Sequence, residues 1–190
     1  MSAFATEQPL ESAQKLAQLK YELLADGVNI PNFHASDDRQ GVRDKVLGQI
    51  AIMEDVTSHT FWIRKEECSF ESFDTVGIYE IFGFAIAQAV KIEISRRGLN
   101  SVVVVFDKAL MFRDEQAFLS RAKAIFTKMN HPFQIYFHNV SKDFNGQIAD
   151  YIAWAHYVAL ERNELRPLKA LPPALVRNFV KLVGEERLKK

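Results

Sequence analysis

Residues 101–109 read SVVVVFDKA, and this stretch decides the class of fold that the sequence predicts. The unbroken valines at 102–105 are typical of a β-strand that is covered on both faces. Strands of this kind lie in sheets flanked by helices, so we expect an α/β fold. Ligands gather at the carboxyl ends of such strands, which makes Asp107 a candidate ligand for a divalent cation. The alternative is that Asp107 only begins a turn.

The rest of the chain divides into segments with helical or strand periodicity. Strands are predicted at 56–65, 101–109 and 132–140. Helices are predicted at 9–26, 38–54, 71–97, 113–129, 144–164 and 174–188. RPLKALPP at 166–173 is a connector, and Ser36 or Asp37 is expected to cap the second helix. The order is α-α-β-α-β-α-β-α-α, with few strands for a domain of this size.

Composition limits the class of protein. The 190 residues are 48% hydrophobic and 25% charged, which favours one packed domain, alone or with a small appendage. The formal net charge is zero, so no global electrostatic case for nucleic-acid binding exists. Residues 162–190 nevertheless carry eight Lys or Arg against three acids. That basic end is either a solvated helix or a surface for phosphate or an acidic partner.

The sequence also indicates a cellular compartment. Cys68 is the only cysteine, so no internal disulfide can form, which fits a reducing compartment. No apolar run approaches the roughly 20 residues that span a bilayer. The first residues, MSAFATEQPLESAQ, lack the basic start and apolar core of a secretory signal. We therefore expect a cytoplasmic protein without membrane insertion.

The helix at 144–164, FNGQIADYIAWAHYVALERNE, carries a carboxylate among apolar residues. At 100° per residue, Ile148, Ile152, Ala155 and Ala159 share one face. Asp150 lies on the opposite side, and its neighbours there are Gln147, Trp154, Tyr157 and Glu161. Either this is the polar face of a surface helix, or the two aromatic side chains mark a cleft beside Asp150.

The loop NFHASDD at 32–38 contains a second cluster of polar residues. Asp37 and Asp38 are better ligands for a hard cation such as Mg²⁺ than the imidazole of His34. The alternative is that Ser36 and the two acids cap the following helix. No phosphate-binding GxxxxGK[ST], dinucleotide-binding GxGxxG or nucleophile-elbow GxSxG occurs. Those three enzyme classes therefore lose support.

Three segments together resemble the domain of unknown function 3800 family, which has a ribonuclease H-like fold. They are LKYELLADGVNIPNFHASDDRQGVRDKV (19–46), SVVVVFDKA (101–109) and VSKDFNGQIADYIAWAHYVALERNE (140–164). The most specific match is a Gln followed, after two residues, by Asp and an aromatic residue, here Gln147, Asp150 and Tyr151. The Phe-His-Ala at 33–35 is the next best. The resemblance covers about residues 10–165.

The resemblance implies a metal-dependent nuclease. Ribonuclease H-like sites gather carboxylates around divalent ions that activate water and stabilise the leaving oxygen of a phosphodiester. Asp107 and Asp150 would be the catalytic carboxylates and, with Asp37, would bind Mg²⁺ or Mn²⁺. His34 and Gln147 would lie at the edge of the site.

The chain also departs from the family pattern. The family opens with a strand ending in Asp-Glu-Ser-Gly and a hairpin, and no Asp-Glu-Ser-Gly occurs here. We therefore expect a truncated ribonuclease H-like domain at 1–165, with an incomplete mixed sheet and flanking helices, followed by a connector and basic helix at 166–190. An incomplete sheet leaves an exposed edge, which favours a homodimer or a protein partner. Catalysis would then be impaired, and the alternative function is a non-catalytic module that binds nucleic acid or protein.

Overall fold

A computed structural model describes residues 1–64, 75–108, 112–128 and 130–182 of the chain. Its strands are β1 (Ser2–Thr6), β2 (Val56–Trp62), β3 (Val102–Asp107), β4 (Phe133–His138) and β5 (Phe179–Lys181). Its α-helices are α1 (Pro9–Ala25), α2 (Gln40–Ala51), α3 (Thr75–Arg97), α4 (Phe112–Thr127), α5 (Phe144–Arg162), α6 (Arg166–Lys169) and α7 (Pro173–Val176). A 3₁₀ turn at Val140–Lys142 precedes α5. The predicted mixture of helices and strands is confirmed.

The chain forms two compact units. The helical unit comprises Ser2–Thr60 and His138–Asn178. The sheet unit comprises Met1, Phe61–Phe137 and Phe179–Lys190, as far as these residues are described. The predicted division of the chain at residue 165 stays a prediction.

β1 and β2 pair in antiparallel register in the helical unit, from Ser2 opposite Thr60 to Thr6 opposite Val56. The β-branched residues of β2 suit this pairing. The sheet continues in the order β1-β2-β5. At the β5 end, the Leu182 amide donates to the Trp62 carbonyl at 2.8 Å.

The core of the helical unit lies where α5 packs against α1 and β1, with α2 packed on α1. The predicted start of α1 at Pro9 is confirmed, and the helix ends at Ala25, one residue before the predicted end. Pro9 fits its first turn, and Gly27 follows its end with φ +78°. The buried core side chains come from every part of this unit and include Leu16, Leu19, Leu23, Phe33, Val46, Leu47, Ile50, Ile148, Tyr151, Ile152, Val158 and Leu175.

α5 begins at a side-chain cap that the sequence prediction missed. The carboxylate of Asp143 accepts hydrogen bonds from the amides of Asn145 at 2.9 Å and Gly146 at 3.2 Å. Ile148, Ile152 and Ala155 are buried, as predicted. The interpretation of the opposite side as a plain polar surface is wrong, because Gln147 and Trp154 are buried as well.

In the sheet unit, α3 packs on α4 and β3 lies beside β4. Aromatic pairs join these elements: Phe106 stacks on Phe137 with 5.7 Å between ring centroids, and Phe126 contacts Phe133 at 5.5 Å. The prediction that both faces of the valine strand are covered is wrong. Val104 and Phe106 are buried, whereas Val103 and Val105 are 59% and 43% exposed.

Two strands were missed by the sequence prediction. β1 lies in the first eight residues, for which neither helix nor strand was predicted, and β5 lies inside the predicted helix at 174–188. The helix there ends after one turn, at Val176. Residues 183–190, with the basic residues Arg187, Lys189 and Lys190, lie outside the described residues, as do Cys68 and the predicted helix start at 71–74. Within the described ranges, no helix has both the length and the apolar composition to cross a membrane.

Candidate functional site

The central feature of the helical unit is a contact between the 32–38 loop and α5. His34 Nδ1 lies 2.9 Å from Asp150 Oδ2, although the two residues are 116 positions apart in the chain. The same carboxylate oxygen accepts the Ala35 amide at 3.2 Å. Asp150 is 28% exposed and His34 is 47% exposed. The pair is therefore anchored on one side and open to solvent on the other.

Local hydrogen bonds hold the loop in a tight turn. The amides of Asp37 and Asp38 donate to the His34 carbonyl at 3.0 and 2.9 Å. In return, Asp38 Oδ2 accepts the His34 amide at 2.9 Å. Phe33 and Ala35 are fully buried, so their side chains fix the turn to the core while His34 and Ser36 face solvent.

Asp38 connects this turn to α5 a second time. Its Oδ2 accepts a hydrogen bond from the hydroxyl of Tyr151, whose side chain is fully buried. Burial raises the pKa of the Asp38 carboxyl, against the opposing effect of the Tyr151 hydrogen bond. Burial, followed by the hydrogen bond to Asp38, raises the pKa of the Tyr151 phenol far above its usual range. The phenol therefore stays a neutral donor.

Gln147 of α5 binds the start of the 32–38 loop. Its side chain is buried, with Oε1 accepting the Phe33 amide at 3.0 Å. Its Nε2 donates to the carbonyls of Val140 at 3.1 Å and Ser141 at 3.3 Å. An amide that satisfies three backbone groups inside the unit has a positioning role.

Arg43 of α2 contacts both the 32–38 loop and α5. Its Nη1 donates to the Ala35 carbonyl at 3.1 Å, and its guanidinium lies 5.0 Å from the centroid of the Trp154 ring. Trp154 is thus covered by a cation from α2, and this contact explains how an aromatic residue is accommodated beside Asp150.

The electrostatics of His34 follow from this arrangement. The hydrogen bond to Asp150 raises the pKa of the imidazole, and the charges of Asp150, Asp37 and Asp38 add to the effect. His34 Nε2 points away from Asp150 and has Ser36 Oγ at 3.2 Å and Asp37 Oδ2 at 3.9 Å. An oriented imidazole with an accessible second nitrogen can accept and return a proton.

The structure brings together most of the site residues that the sequence predicted. His34, Asp37, Gln147 and Asp150 lie within one hydrogen-bonded neighbourhood. Asp107 ends β3 and belongs to the sheet unit, so its pairing with Asp150 stays a prediction. The expected cap of the second helix is wrong: Arg39 occupies the cap position of α2 and makes no side-chain cap.

Within the described part of the chain, the carboxylates do not assemble a metal centre. Across residues 1–64, 75–108, 112–128 and 130–182, no group of three or more His, Cys, Asp or Glu side chains could hold a metal ion. Asp150 Oδ2 and Asp38 Oδ2 are both used in hydrogen bonds. Asp37 is 79% exposed. Oxygen ligands of the kind that Mg²⁺ or Mn²⁺ prefers are present, and the metal stays a prediction.

Sequence reasoning missed three participants: Ser36 as a partner of the imidazole, Arg43 as the cover of Trp154, and Asp38 as the acceptor for Tyr151. Only Ser36 carries a local signal, because a residue two positions from a loop histidine can face the same side. The other two depend on contacts between elements that are distant in sequence.

Comparison with known proteins finds no matching family model, no matching curated protein and no matching solved structure.

Proposed function

We propose that the protein is a hydrolase in which His34 and Asp150 form a general acid–base pair. The observation that carries the proposal is the 2.9 Å contact between His34 Nδ1 and Asp150 Oδ2, in a histidine that is 47% exposed and whose Nε2 lies 3.2 Å from the Ser36 hydroxyl. A carboxylate that accepts from Nδ1 fixes the tautomer, so the neutral imidazole presents a lone pair at Nε2.

The substrate class rests on the sequence resemblance. A ribonuclease H-like relationship suggests phosphodiester bonds of nucleic acid, with His34 taking a proton from the attacking water and returning one to the leaving oxygen. The Mg²⁺ or Mn²⁺ that the resemblance implies is part of the same proposal, with Asp37, Asp107 and Asp150 as its ligands, but no step above depends on it. A cytoplasmic location also belongs here, since the one cysteine excludes an internal disulfide.

The test is cleavage of end-labelled RNA and DNA, single- and double-stranded, with Mg²⁺ and separately with EDTA. His34→Asn keeps an amide donor near the Nδ1 position but has no basic nitrogen. We expect it to lower the rate about 100-fold or more. His138→Gln is the matched control, because His138 is another exposed histidine near a carboxylate, Asp143, at 3.5 Å. Equal rates in wild type and His34→Asn would contradict the proposal.

The second candidate is a non-catalytic binding module. One observation favours it: a face of the β3–β4 pair is apolar and exposed. Phe106 and Phe137 stack on the buried side, so Tyr136, one residue before Phe137, lies on the opposite side with Val103 and Val105. An exposed patch of this kind favours a homodimer or a protein partner.

Light scattering separates the candidates. A dimer that Val105→Lys converts to a monomer supports the binding module, whereas a monomer that ignores protein and nucleic acid counts against it. A salt-dependent affinity for RNA or DNA that survives the loss of Asp107 and Asp150 supports nucleic-acid binding without catalysis.

A further inference from the structure

The hydroxyl of Ser36 completes a hydrogen-bonded chain with the imidazole and the carboxylate. Ser36 Oγ lies 3.2 Å from His34 Nε2, and His34 Nδ1 lies 2.9 Å from Asp150 Oδ2. The imidazole therefore stands between a hydroxyl and a carboxylate, each bonded to a different ring nitrogen. A potential nucleophile, a base and a group that orients the base are the parts needed for nucleophilic catalysis.

The direction of the two hydrogen bonds follows from the carboxylate. Asp150 Oδ2 already accepts the Ala35 amide at 3.2 Å, so it is an acceptor for Nδ1–H as well. In the neutral ring the proton on Nδ1 leaves Nε2 as an acceptor, and the Ser36 hydroxyl can donate to it at 3.2 Å in place of its bond to Asp37 Oδ1 at 3.1 Å. Proton transfer from Ser36 to His34 then requires no change of tautomer.

The turn keeps both reacting groups accessible. Phe33 and Ala35 are buried, and the alternation along the turn puts His34 and Ser36 on the solvent side. Two hydrogen bonds between His34 and Asp38 close the turn. The Asp38 amide donates to the His34 carbonyl at 2.9 Å, and the His34 amide donates to the Asp38 carboxylate at 2.9 Å. The imidazole is therefore held by backbone contacts as well as by Asp150.

We propose that Ser36 is a catalytic nucleophile that accepts an acyl group from neutral carboxylic esters, with His34 as base and Asp150 as the residue that orients it. The inference rests on the acid–base pair of the proposed function, but neither on its phosphodiester substrate nor on a metal ion.

The reaction balances without any further reactant than water. Ser36 Oγ bonds to the ester carbonyl carbon as its proton moves to His34 Nε2. The carbon–oxygen bond to the alcohol breaks, and the imidazolium returns the proton to the leaving alkoxide. Water then attacks the acyl-serine, giving its proton to His34 and releasing the carboxylic acid, while Ser36 recovers a proton from the ring.

Local charge favours a neutral substrate. Three carboxylates, Asp37, Asp38 and Asp150, act on the imidazole, against the one nearby guanidinium of Arg43. An anionic ester would be repelled by this arrangement of carboxylates, whereas an uncharged acyl group would not.

Asp37 competes for the same hydroxyl. Ser36 Oγ also lies 3.1 Å from Asp37 Oδ1, and one proton cannot satisfy both acceptors at once. Replacing Asp37 with alanine removes the competitor, so the hydroxyl donates to His34 for a larger share of the time. Asp37→Ala should therefore accelerate acylation of Ser36, an effect that a purely structural serine would not produce.

The experiment uses p-nitrophenyl acetate in the presence of EDTA, together with a fluorophosphonate probe and mass spectrometry of the labelled peptide. Wild type should be labelled at Ser36, and Ser36→Ala and His34→Asn should each lose about 100-fold or more of the esterase rate. Asp37→Ala should be faster than wild type. Ser141→Ala is the matched control, because Ser141 is an exposed serine whose hydroxyl bonds Asn139 Oδ1 at 2.6 Å instead of an imidazole.

Labelling at another residue, or an unchanged esterase rate in Ser36→Ala with a wild-type urea midpoint, overturns the inference. The nucleic-acid assay is read separately. If nucleic-acid cleavage needs His34 but not Ser36, and Ser36 is not labelled, the proposed function is supported and the assignment of Ser36 as a nucleophile is contradicted. Esterase activity that needs Ser36, without nucleic-acid cleavage, supports the nucleophile and removes the phosphodiester substrate.

Discussion

The phenol of Tyr151 donates a hydrogen bond to the carboxylate of Asp38, which lies 113 residues earlier in the chain. Tyr151 is fully buried in α5, and Asp38 closes the turn that carries His34. The contact therefore connects the core of the helical unit to the backbone of the candidate site, and it ties the stability of the unit to the position of the imidazole.

Tyr151→Phe tests this connection. The substitution keeps the ring and removes only the hydroxyl, so a partly buried carboxylate loses its donor from α5. We expect the free energy of unfolding to fall by about 1.5–3 kcal/mol, the usual range for a hydrogen bond to a charged group. Urea denaturation measures the change. Tyr157→Phe is the control, since Tyr157 is more than half exposed on the same helix, and an equal loss in both variants would contradict the argument.

The pH behaviour of His34 is the second prediction. Its pKa is raised above 6.5 in the folded protein, chiefly by the hydrogen bond to Asp150. The stability it contributes is therefore complete below pH 6.5 and is lost as the pH rises through the folded pKa. Activity that needs the neutral base has the opposite sign and increases above that pKa.

NMR titration of the His34 ring protons measures this pKa without reference to any substrate. The pKa of His34 should lie above 6.5 in wild type and lower in Asp150→Asn, because asparagine makes a weaker hydrogen bond to the imidazolium and carries no charge. A His34 midpoint that is unchanged in Asp150→Asn would mean that the carboxylate does not set the protonation of the imidazole.

Much of the fold could be predicted from sequence because its signals are local. α1, α5 and β3 each have a periodicity or composition that fixes their type, and Gly27 and Gly98, with φ +78° and +64°, directly follow the helices predicted at 9–26 and 71–97. β5 could not be predicted, because Phe179 and Val180 continue the helical spacing of the residues before them. Its pairing to β2, through the Leu182 amide and the Trp62 carbonyl, overrides that local preference.

The sequence identified individual residues of the site but not the contacts between them. His34, Asp37, Gln147 and Asp150 stood out by type and by resemblance, but the sequence treats residues 33–38 and 147–151 as unrelated segments. Their contact depends on how α5 packs in the core, which no local pattern encodes. The same reason explains why Asp37 and Asp38 were expected to cap α2: without the Tyr151 contact, capping is the ordinary role of acids before a helix.

The third prediction concerns the effect of the buried imidazole of His156 on stability at acid pH. Burial lowers the pKa of its imidazole to about 4 from 6.5, so the folded protein keeps the ring neutral while the unfolded chain binds a proton below 6.5. The unfolded state therefore binds more protons between pH 6.5 and about 4, and stability falls as the pH falls through that window.

Urea midpoints measured across the window from pH 6.5 down to about 4 would detect this loss. His156→Leu cannot take up a proton and should have a flatter pH dependence over the same window, whatever its stability at neutral pH. His131→Leu is the control for the loss of a histidine as such. A slope that is as steep in His156→Leu as in wild type would assign the acid sensitivity to other groups.

Metal binding is the fourth prediction, and it comes from the resemblance. If Asp107 and Asp150 bind Mg²⁺ or Mn²⁺, millimolar metal should raise the melting temperature of wild type, because a ligand that binds the folded state alone stabilises it. The Asp107→Asn/Asp150→Asn double variant should lose the shift, and Asp37→Asn should reduce it. Ca²⁺ and high NaCl serve as controls for general ionic effects. No shift, or the same shift in the double variant, would remove the metal from the proposed function.

Gln147 gives the last prediction, because its amide satisfies one donor and two acceptors inside the helical unit. Gln147→Glu keeps the shape of the side chain and an oxygen for the Phe33 amide, but it has no donor for the carbonyls of Val140 and Ser141. Each unsatisfied buried group costs about 1–3 kcal/mol, and the carboxylate adds a cost of its own. We expect a loss of that order at neutral pH, measured by urea denaturation.

Lowering the pH distinguishes a lost donor from a general disturbance of packing. Once it is protonated, the introduced carboxyl group can donate one hydrogen bond again, so the Gln147→Glu variant should regain part of its deficit relative to wild type under acid conditions. Gln147→Leu removes all three hydrogen bonds without adding an ionisable group, and its deficit should not depend on pH. If both variants lose the same amount at every pH, the side chain matters only for its volume, and the hydrogen bonds to Phe33, Val140 and Ser141 do not hold the loop against α5.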